Sequence, residues 1–211
     1  ARELQSTLEE AFAVAMSGKK GPVVVDLSKN VFGEFVEYKA DNVSFDSESL
    51  ECSKQDIERI FNRIKNSKRP VIVTGGGVAH SGAEEELFAL SNSLNIPVVA
   101  TMMGVGTFPQ NSQNYFGMIG IFGDKAANQI LKDSDLIISL GARFNDRITC
   151  MFKDCNLAEK FIQVDINPLE IGRVIDGVDS ICADVSDFLS TLNKMPKSVD
   201  FSPWLEKAQG L

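Results

Sequence analysis

Short apolar runs recur along this chain at helical intervals, and each is followed at once by glycine, threonine or aspartate. They lie at residues 71–74, 98–100, 136–140, 161–164 and 181–183. Between most of them the apolar residues fall at helical spacing instead. Ser53 and Asp56 have the spacing of a capping box ahead of Ile57, Ile60, Phe61 and Ile64. Ser81 and Glu84 repeat that spacing before Ala83, Leu87, Leu90 and Leu94, with residues 84–86 as a solvated acidic first turn. Residues 124–132, and a last segment with Phe188, Leu189 and Leu192, also read as helices. Strands separated by helices are joined by crossovers, not hairpins. The pattern predicts an α/β fold, a doubly wound parallel sheet with helices on both faces.

Three further segments surround this core. In residues 1–27, Leu4, Leu8, Ala11, Phe12 and Ala15 share one helical face, Gly18 to Pro22 break the helix, and Val23-Val24-Val25 reads as a strand. Residues 28–53 form an acidic, phenylalanine-bearing linker whose aromatic rings are expected to pack on a surface. The main domain is placed at 54–194, with 195–211 as the start of a second linker.

Composition excludes several classes of function. The formal charge is -8 and no basic stripe is present, which argues against nucleic acid and anionic membrane as partners. No apolar run approaches the ~20 residues of a membrane span, and no signal-peptide pattern opens the chain. Cys52, Cys150, Cys155 and Cys182 are scattered, His80 is the sole histidine, and no second pair completes a zinc site. The cysteines read as reduced thiols and His80 as a polar loop residue.

The chemistry gathers where the strands end. In open parallel sheets, ligands bind outside the carboxyl ends of the strands. Those ends carry Gly75, Gly76 and Gly77, then Thr101, Met102 and Met103. Next come Gly141, Ala142, Arg143, Asn145 and Arg147, and finally Asp165, Ile166 and Asp184. A glycine triplet lets backbone amides approach a phosphate, or merely makes a tight turn. Arg143 and Arg147 suit phosphate oxygens, or local carboxylates. A dinucleotide fingerprint fits poorly. After Gly75 and Gly77 the third glycine would stand at His80, and no acid follows the second strand at Thr101.

The run Ser17-Gly18-Lys-Lys-Gly21-Pro22-Val-Val-Val-Asp26 resembles the segment closing the pyrimidine-binding domain of thiamine-diphosphate enzymes. Arg69-Pro70-Val-Ile-Val-Thr-Gly-Gly-Gly77 resembles the opening of their central domain. Gly117-Met-Ile-Gly120-Ile-Phe-Gly123, Gly141-Ala-Arg-Phe-Asn-Asp-Arg147 and Asp165-Ile-Asn-Pro168 are similar to the large subunit of the acetolactate (acetohydroxyacid) synthase family. The chain departs from that family's usual pattern at Phe122 (histidine), Asn145 (an acid) and Ser28 (proline).

The resemblance implies a central domain of six parallel strands that binds FAD. Contacts would come from Gly75–Gly77, residues 101–103, Phe122, Gly141, Ala142, Arg143, Asn145, Arg147, Asp165, Ile166 and Asp184. It implies a parent transferase of branched-chain amino-acid biosynthesis that condenses pyruvate with a second 2-keto acid, pyruvate or 2-ketobutyrate, with loss of carbon dioxide. Thiamine diphosphate and Mg²⁺ would serve as electron sink and anchor in other domains. It also implies a homo-oligomer, a regulatory small subunit, and a place in the cytoplasm or an organellar stroma or matrix. The fragment would be inactive alone, with no catalytic residue of its own, a remnant of the first domain at 1–27 and the missing thiamine domain beyond 211. Two other readings stay open. One is a related carboligase or oxidase binding FAD or ADP in the same groove; the other is a structural domain without cofactor.

Overall fold

A computed structural model describes residues 2–37, 52–149 and 158–211. The chain divides into two compact units, Ala1–Ser49 and Leu50–Leu211. The smaller unit holds helix α1 (Leu4–Met16), which buries none of its residues, and a 3-10 turn at Lys29–Gly33. Residues 23–25, expected as a strand, pair with nothing among the described residues, and a lone strand has no ladder to join. Phe32 and Phe35 of the expected linker are exposed instead of packed on a surface. The remainder of that linker, 38–51, lies outside the described residues, as do Cys150 and Cys155.

The larger unit runs α2 (Lys54–Asn66), β1 (Pro70–Thr74), α3 (Gly76–Ser81), α4 (Glu84–Leu94) and β2 (Val98–Ala100). It continues with β3 (Tyr115–Met118), α5 (Lys125–Asp133), β4 (Leu136–Leu140) and α6 (Asp146–Thr149). It ends with β5 (Phe161–Asp165), β6 (Asp179–Cys182), α7 (Val185–Leu192) and α8 (Ser202–Gln209). All pairings are parallel, in the order β3-β2-β1-β4-β5-β6. Every residue of β1, β4 and β5 is buried, the pattern of a sheet covered on both faces. Among the described residues no helix is long and apolar enough to cross a membrane.

Local chemistry explains several element boundaries. Ser53 caps α2: the Asp56 amide donates to Ser53 Oγ at 3.1 Å, and Ser53 Oγ donates to the Asp56 carboxylate at 2.6 Å. Arg63 on α2 donates to the Phe161 carbonyl at 3.1 Å and to Asp179 at 3.0 Å, anchoring the helix at the amino ends of β5 and β6. The expected second box fails. Ser81 ends α3 and donates back to the Val78 carbonyl at 3.1 Å, so α4 opens at Glu84 without a side-chain cap. His80 accordingly sits in the last turn of α3 rather than in a loop.

Besides α3, β3 and α8 lie outside the periodic reading. β3 pairs with β2 across a register shift, Val98 facing Tyr115 and Ala100 facing Met118. The extra residue is a bulge that breaks the alternation a strand would show, and it is absorbed at Gly117, whose φ is +96°. Residues 195–211, expected as a linker, contain α8 instead. Phe201, Trp204, Leu205 and Ala208 are buried, and Trp204 Nε1 donates to the Pro70 carbonyl at 3.0 Å. Their spacing is that of a helix face, and the compact unit extends to Leu211.

At the centre of the sheet, β1 and β4 are neighbours whose crossovers depart in opposite directions along the strand order. The turns that leave them touch. The Gly75 amide donates to the Leu140 carbonyl at 2.9 Å, and the Gly77 amide to the Gly141 carbonyl at 3.0 Å. A Cβ on Gly75 would run into the Gly141 carbonyl oxygen, and one on Gly77 would lie 2.6 Å from Gly141 Cα. Thr101 closes the third side by donating its amide to the Thr74 carbonyl at 2.9 Å.

Gly75→Ala should therefore destabilise the fold by about 3 kcal/mol or more, since the clash is with backbone that cannot rotate away. Gly76→Ala, whose Cβ would meet Met103 Cβ at 3.3 Å and the Met103 carbonyl oxygen at 3.4 Å, close but not overlapping contacts, should cost under ~1 kcal/mol. Denaturant unfolding of the two variants reads the difference directly. A second expectation concerns pH. The side-chain bonds from Arg59 and then Ser53 hold the Asp56 carboxyl below its ordinary range. A depressed folded value contributes stability above the unfolded value of about 4, lost as pH falls further. Asp56→Asn should then lose less stability than the parent between neutral pH and about pH 3. Ser53→Ala should cost about 1 kcal/mol at neutral pH.

Candidate functional site

The carboxyl ends of β1, β2, β4, β5 and β6 lie along one edge, and the loops that follow them hold every residue singled out from the sequence except Phe122. Phe122 belongs to the loop after β3 at the same edge. The point between β1 and β4, where strand order reverses, is where open α/β sheets place ligands. Here it is occupied by the glycine contact itself. Two of the three triplet amides, those of Gly75 and Gly77, are bonded inside the fold, as a tight turn would have them. Glycine is needed there for close backbone packing.

The loop after β2 is stitched down rather than open. Thr74 and Thr107 share a hydroxyl hydrogen bond of 2.6 Å, and Thr107 Oγ1 donates to the Gly104 carbonyl at 2.7 Å. Thr101 is buried and spends both its amide and its hydroxyl on the Thr74 carbonyl. Met102 and Met103, by contrast, stand out into solvent with 63% and 74% exposure.

The loop after β3 is equally fixed. Asp124 accepts the Met118 amide at 2.8 Å. Asn128 makes a two-way pair with Gly120, accepting its amide and donating to its carbonyl, both at 2.9 Å. Gly120 has φ +114°, and a Cβ on Gly123 would run into the Met118 carbonyl. This rigid turn presents Ile121 and Phe122 to solvent, Phe122 with 78% of its surface open. Exposing a ring on a braced loop costs apolar solvation, so its placement calls for a partner surface.

The arginine loop spans the edge. Ala142 and Phe144 are buried, and the Phe144 ring packs edge-on against Phe161 with centroids 4.7 Å apart. The Asn145 carbonyl accepts the amides of Ile148 and Thr149, opening α6. At its far end the Arg147 carbonyl accepts the Ile121 amide at 3.2 Å, joining this loop to the one after β3. Arg143 turns the other way. Its Nε lies 3.3 Å from Glu170 in the loop after β5, and Glu170 also holds Arg173 at 2.9 Å. Arg143 is thus engaged with the loop after β5, while the Arg147 backbone ties its loop to the one after β3. A small cleft beside Arg143 is lined by Phe144, Phe161, Gln163, Glu170, Val174 and Ile175.

Asp165 is buried and accepts the Asn167 amide at 2.9 Å, while Asp184 caps α7 by accepting the Ser186 amide at 2.8 Å. Ile166 is half-buried, and its carbonyl accepts a weak bond from the Cys182 thiol at 3.7 Å. Burial pushes the Cys52 thiol up to about 11, helped by Asp187, Asp56 and Asp184; Cys182 is also raised, by burial and Asp165. Neither thiol is an activated nucleophile. Glu170, Arg173 and Gln163 were missed in the sequence. Their signal was a lone glutamine within the apolar run Phe161-Ile-Gln-Val, followed by a Glu and an Arg three residues apart.

The edge is therefore two-sided. Exposed apolar groups, Met102, Met103, Ile121 and Phe122, stand on the β2–β3 half, and charged groups, Arg143, Asp165, Glu170, Arg173 and Asp184, on the half from β4 to β6. Residues 57–192 match the family described as "Thiamine pyrophosphate enzyme, central domain". The chain is 35% identical to the acetolactate synthase large subunit of Corynebacterium glutamicum, over 99% of this chain and 35% of that protein. It is 36% identical to a probable acetolactate synthase large subunit of Methanocaldococcus jannaschii, over 97% of this chain and 36% of that one. Against acetolactate synthase 1, chloroplastic, of Zea mays, identity is 34% over 96% of this chain and 33% of the other. The chain spans about a third of the length of these curated relatives. On the family match and the parallel six-stranded sheet together, this chain belongs to the thiamine pyrophosphate enzymes, with their central domain at residues 57–192.

Proposed function

We propose that this carboxyl edge binds FAD in a protein of the acetolactate synthase large-subunit type. The observation that carries the reading is the division of the edge into an apolar half and a charged half. FAD is divided in the same way, with a flat, largely apolar ring system at one end and a diphosphate and adenosine at the other. Met102, Met103 and Phe122 would lie against the ring system. Arg143 and Arg147 would neutralise the diphosphate with charge-assisted bonds, while Asp165 and Asp184 would accept from hydroxyl or amino donors. Gly75–Gly77, Thr101, Gly141, Ala142, Asn145 and Ile166 would line the groove through their backbone. The flavin supplies redox capacity where the reaction calls for it, and this chain's residues bind and orient it.

The parent activity we propose is decarboxylation of pyruvate and condensation with a second 2-keto acid, pyruvate or 2-ketobutyrate. Thiamine diphosphate and Mg²⁺ would be held by other parts of the protein. The relatives named acetolactate synthase large subunit support this, and that naming supports a small-subunit partner, which we take to be regulatory; a homo-oligomeric assembly is part of the same proposal. The bacterial and chloroplastic relatives support a place in the cytoplasm or an organellar stroma or matrix. The competing reading, a domain without cofactor, draws on the Gly75 and Gly77 amides being spent within the fold.

Titration of the full chain with FAD, followed by flavin fluorescence, separates these readings. Binding to the parent chain supports the cofactor reading, and a chain that leaves flavin fluorescence unchanged at high micromolar concentration rejects it. Arg147→Ala should weaken binding by roughly 1.5–3 kcal/mol if it makes a charge-assisted phosphate bond. Affinity equal to that of the parent removes Arg147 from the site.

A further inference from the structure

Glu170 lies between two arginines. Its side chain is 11% exposed, and its two oxygens take different guanidiniums, Arg143 Nε on one and Arg173 Nε on the other, at 3.3 and 2.9 Å. Both arginine side chains are 55% exposed. Glu170 alone cannot neutralise both guanidiniums, so one positive charge is left within this three-residue cluster. Each guanidinium has five N–H donors, so either can keep Glu170 and still serve an incoming anion.

The loop that carries this cluster is built from below. Gln163 is buried in β5 with 7% of its surface exposed, a costly place for an amide unless both of its ends are bonded. Both are. Nε2 donates to the Glu170 carbonyl at 2.9 Å, and Oε1 accepts the Gly172 amide at 3.1 Å. At the loop's entry, the Leu169 amide donates to Asn167 Oδ1 at 3.1 Å and the Glu170 amide to the Asn167 carbonyl at 3.0 Å. A buried strand residue therefore fixes the backbone at Glu170 and just before Arg173, while Asn167 holds the approach to Glu170. A loop needing only to cross the surface has no use for such an anchor.

We propose that Arg173 is a second anion-binding arm beside Arg143, that Glu170 is the positioning residue for both, and that the pair takes a phosphate group of the bound nucleotide. The inference rests on the reading of the edge as a nucleotide site and adds two residues to it. Phosphate is the ligand class because the arginines flank the carboxyl end of β5, beside the switch point where open sheets bind phosphates, and guanidinium geometry matches phosphate oxygens.

The test uses calorimetric titration of the full chain with FAD, ADP and adenosine. Arg173→Gln should weaken FAD and ADP about tenfold, equivalent to ~1.4 kcal/mol, and leave adenosine unchanged, because only phosphate-bearing ligands use the charge. It should also flatten the dependence of ADP binding on salt, and Arg173→Lys should restore part of the loss. Glu170→Gln should weaken ADP and spare adenosine, since the amide removes the negative charge and sets its NH2 donor against one of the two guanidiniums. Equal weakening of ADP and adenosine assigns Arg173 a purely structural role in the loop and overturns the proposal. Unchanged ADP binding overturns it as well. Tighter ADP binding in Glu170→Gln shows that the carboxylate competes with phosphate and overturns the positioning role. A parent chain that binds neither FAD nor ADP rejects the nucleotide reading itself, a result distinct from any variant's behaviour.

Discussion

The turns that leave β1 and β4 approach so closely that neither can carry a Cβ at the point of contact. Gly75 and Gly77 meet Gly141 backbone to backbone, and the Gly75 and Gly77 amides bond to carbonyls of the other turn. Much of the carboxyl edge depends on this approach. It sets where α3 starts, where the arginine loop departs, and how near the loop after β2 can lie to β1. Gly104 extends the same contact, since a Cβ there would run into the Thr74 carbonyl. Three loops from three strands are thereby fastened into one floor.

That fastening has a consequence for recognition. With the Gly75 and Gly77 amides already bonded, the binding proposed for this edge draws chiefly on side chains rising from the rim: the thioethers of Met102 and Met103, the Phe122 ring, and the arginines. The rim is stiff as well. Asp124 and Asn128 brace the loop under Phe122, and Gln163 braces the loop under Glu170 and Arg173. Side chains held on braced loops lose less freedom on binding, which is how a preorganised site gains affinity without added contact area.

The sequence exposed the sheet well because parallel strands are buried on both faces and read as continuous apolar runs. β1, β2, β4 and β5 fall where those runs do. β3 did not show, since the bulge at Gly117 breaks its period and its residues are only half-buried. α3 did not show either, because two glycines open it and it spans six residues. α8 was legible in principle: Phe201, Trp204, Leu205 and Ala208 have helical spacing, with Pro203 in the first turn where it is well tolerated. The spacing of Ser81 and Glu84 misled, since a capping box needs Ser81 outside the helix and the chain places it at the end of α3. Among site residues, strand-end position was readable from the runs themselves. Side-chain direction was not: nothing in the sequence turns Arg143 toward Glu170 rather than toward the glycines.

The formal net charge of the chain is -8, and at the carboxyl edge the guanidiniums of Arg143 and Arg173 stand among the carboxylates of Glu170, Asp165 and Asp184, so the edge carries no excess of positive charge. Long-range attraction of an anionic ligand is weak under those conditions, because the Debye length is about 8 Å at physiological ionic strength and distant acids oppose the approach. Capture must then rely on the last few ångströms, where a guanidinium can bond in two places at once. In that regime the aim of each arginine matters more than the sum of charges. A half-buried carboxylate shared by two guanidiniums, on a loop pinned by a buried glutamine, is a means of fixing that aim in an acidic protein.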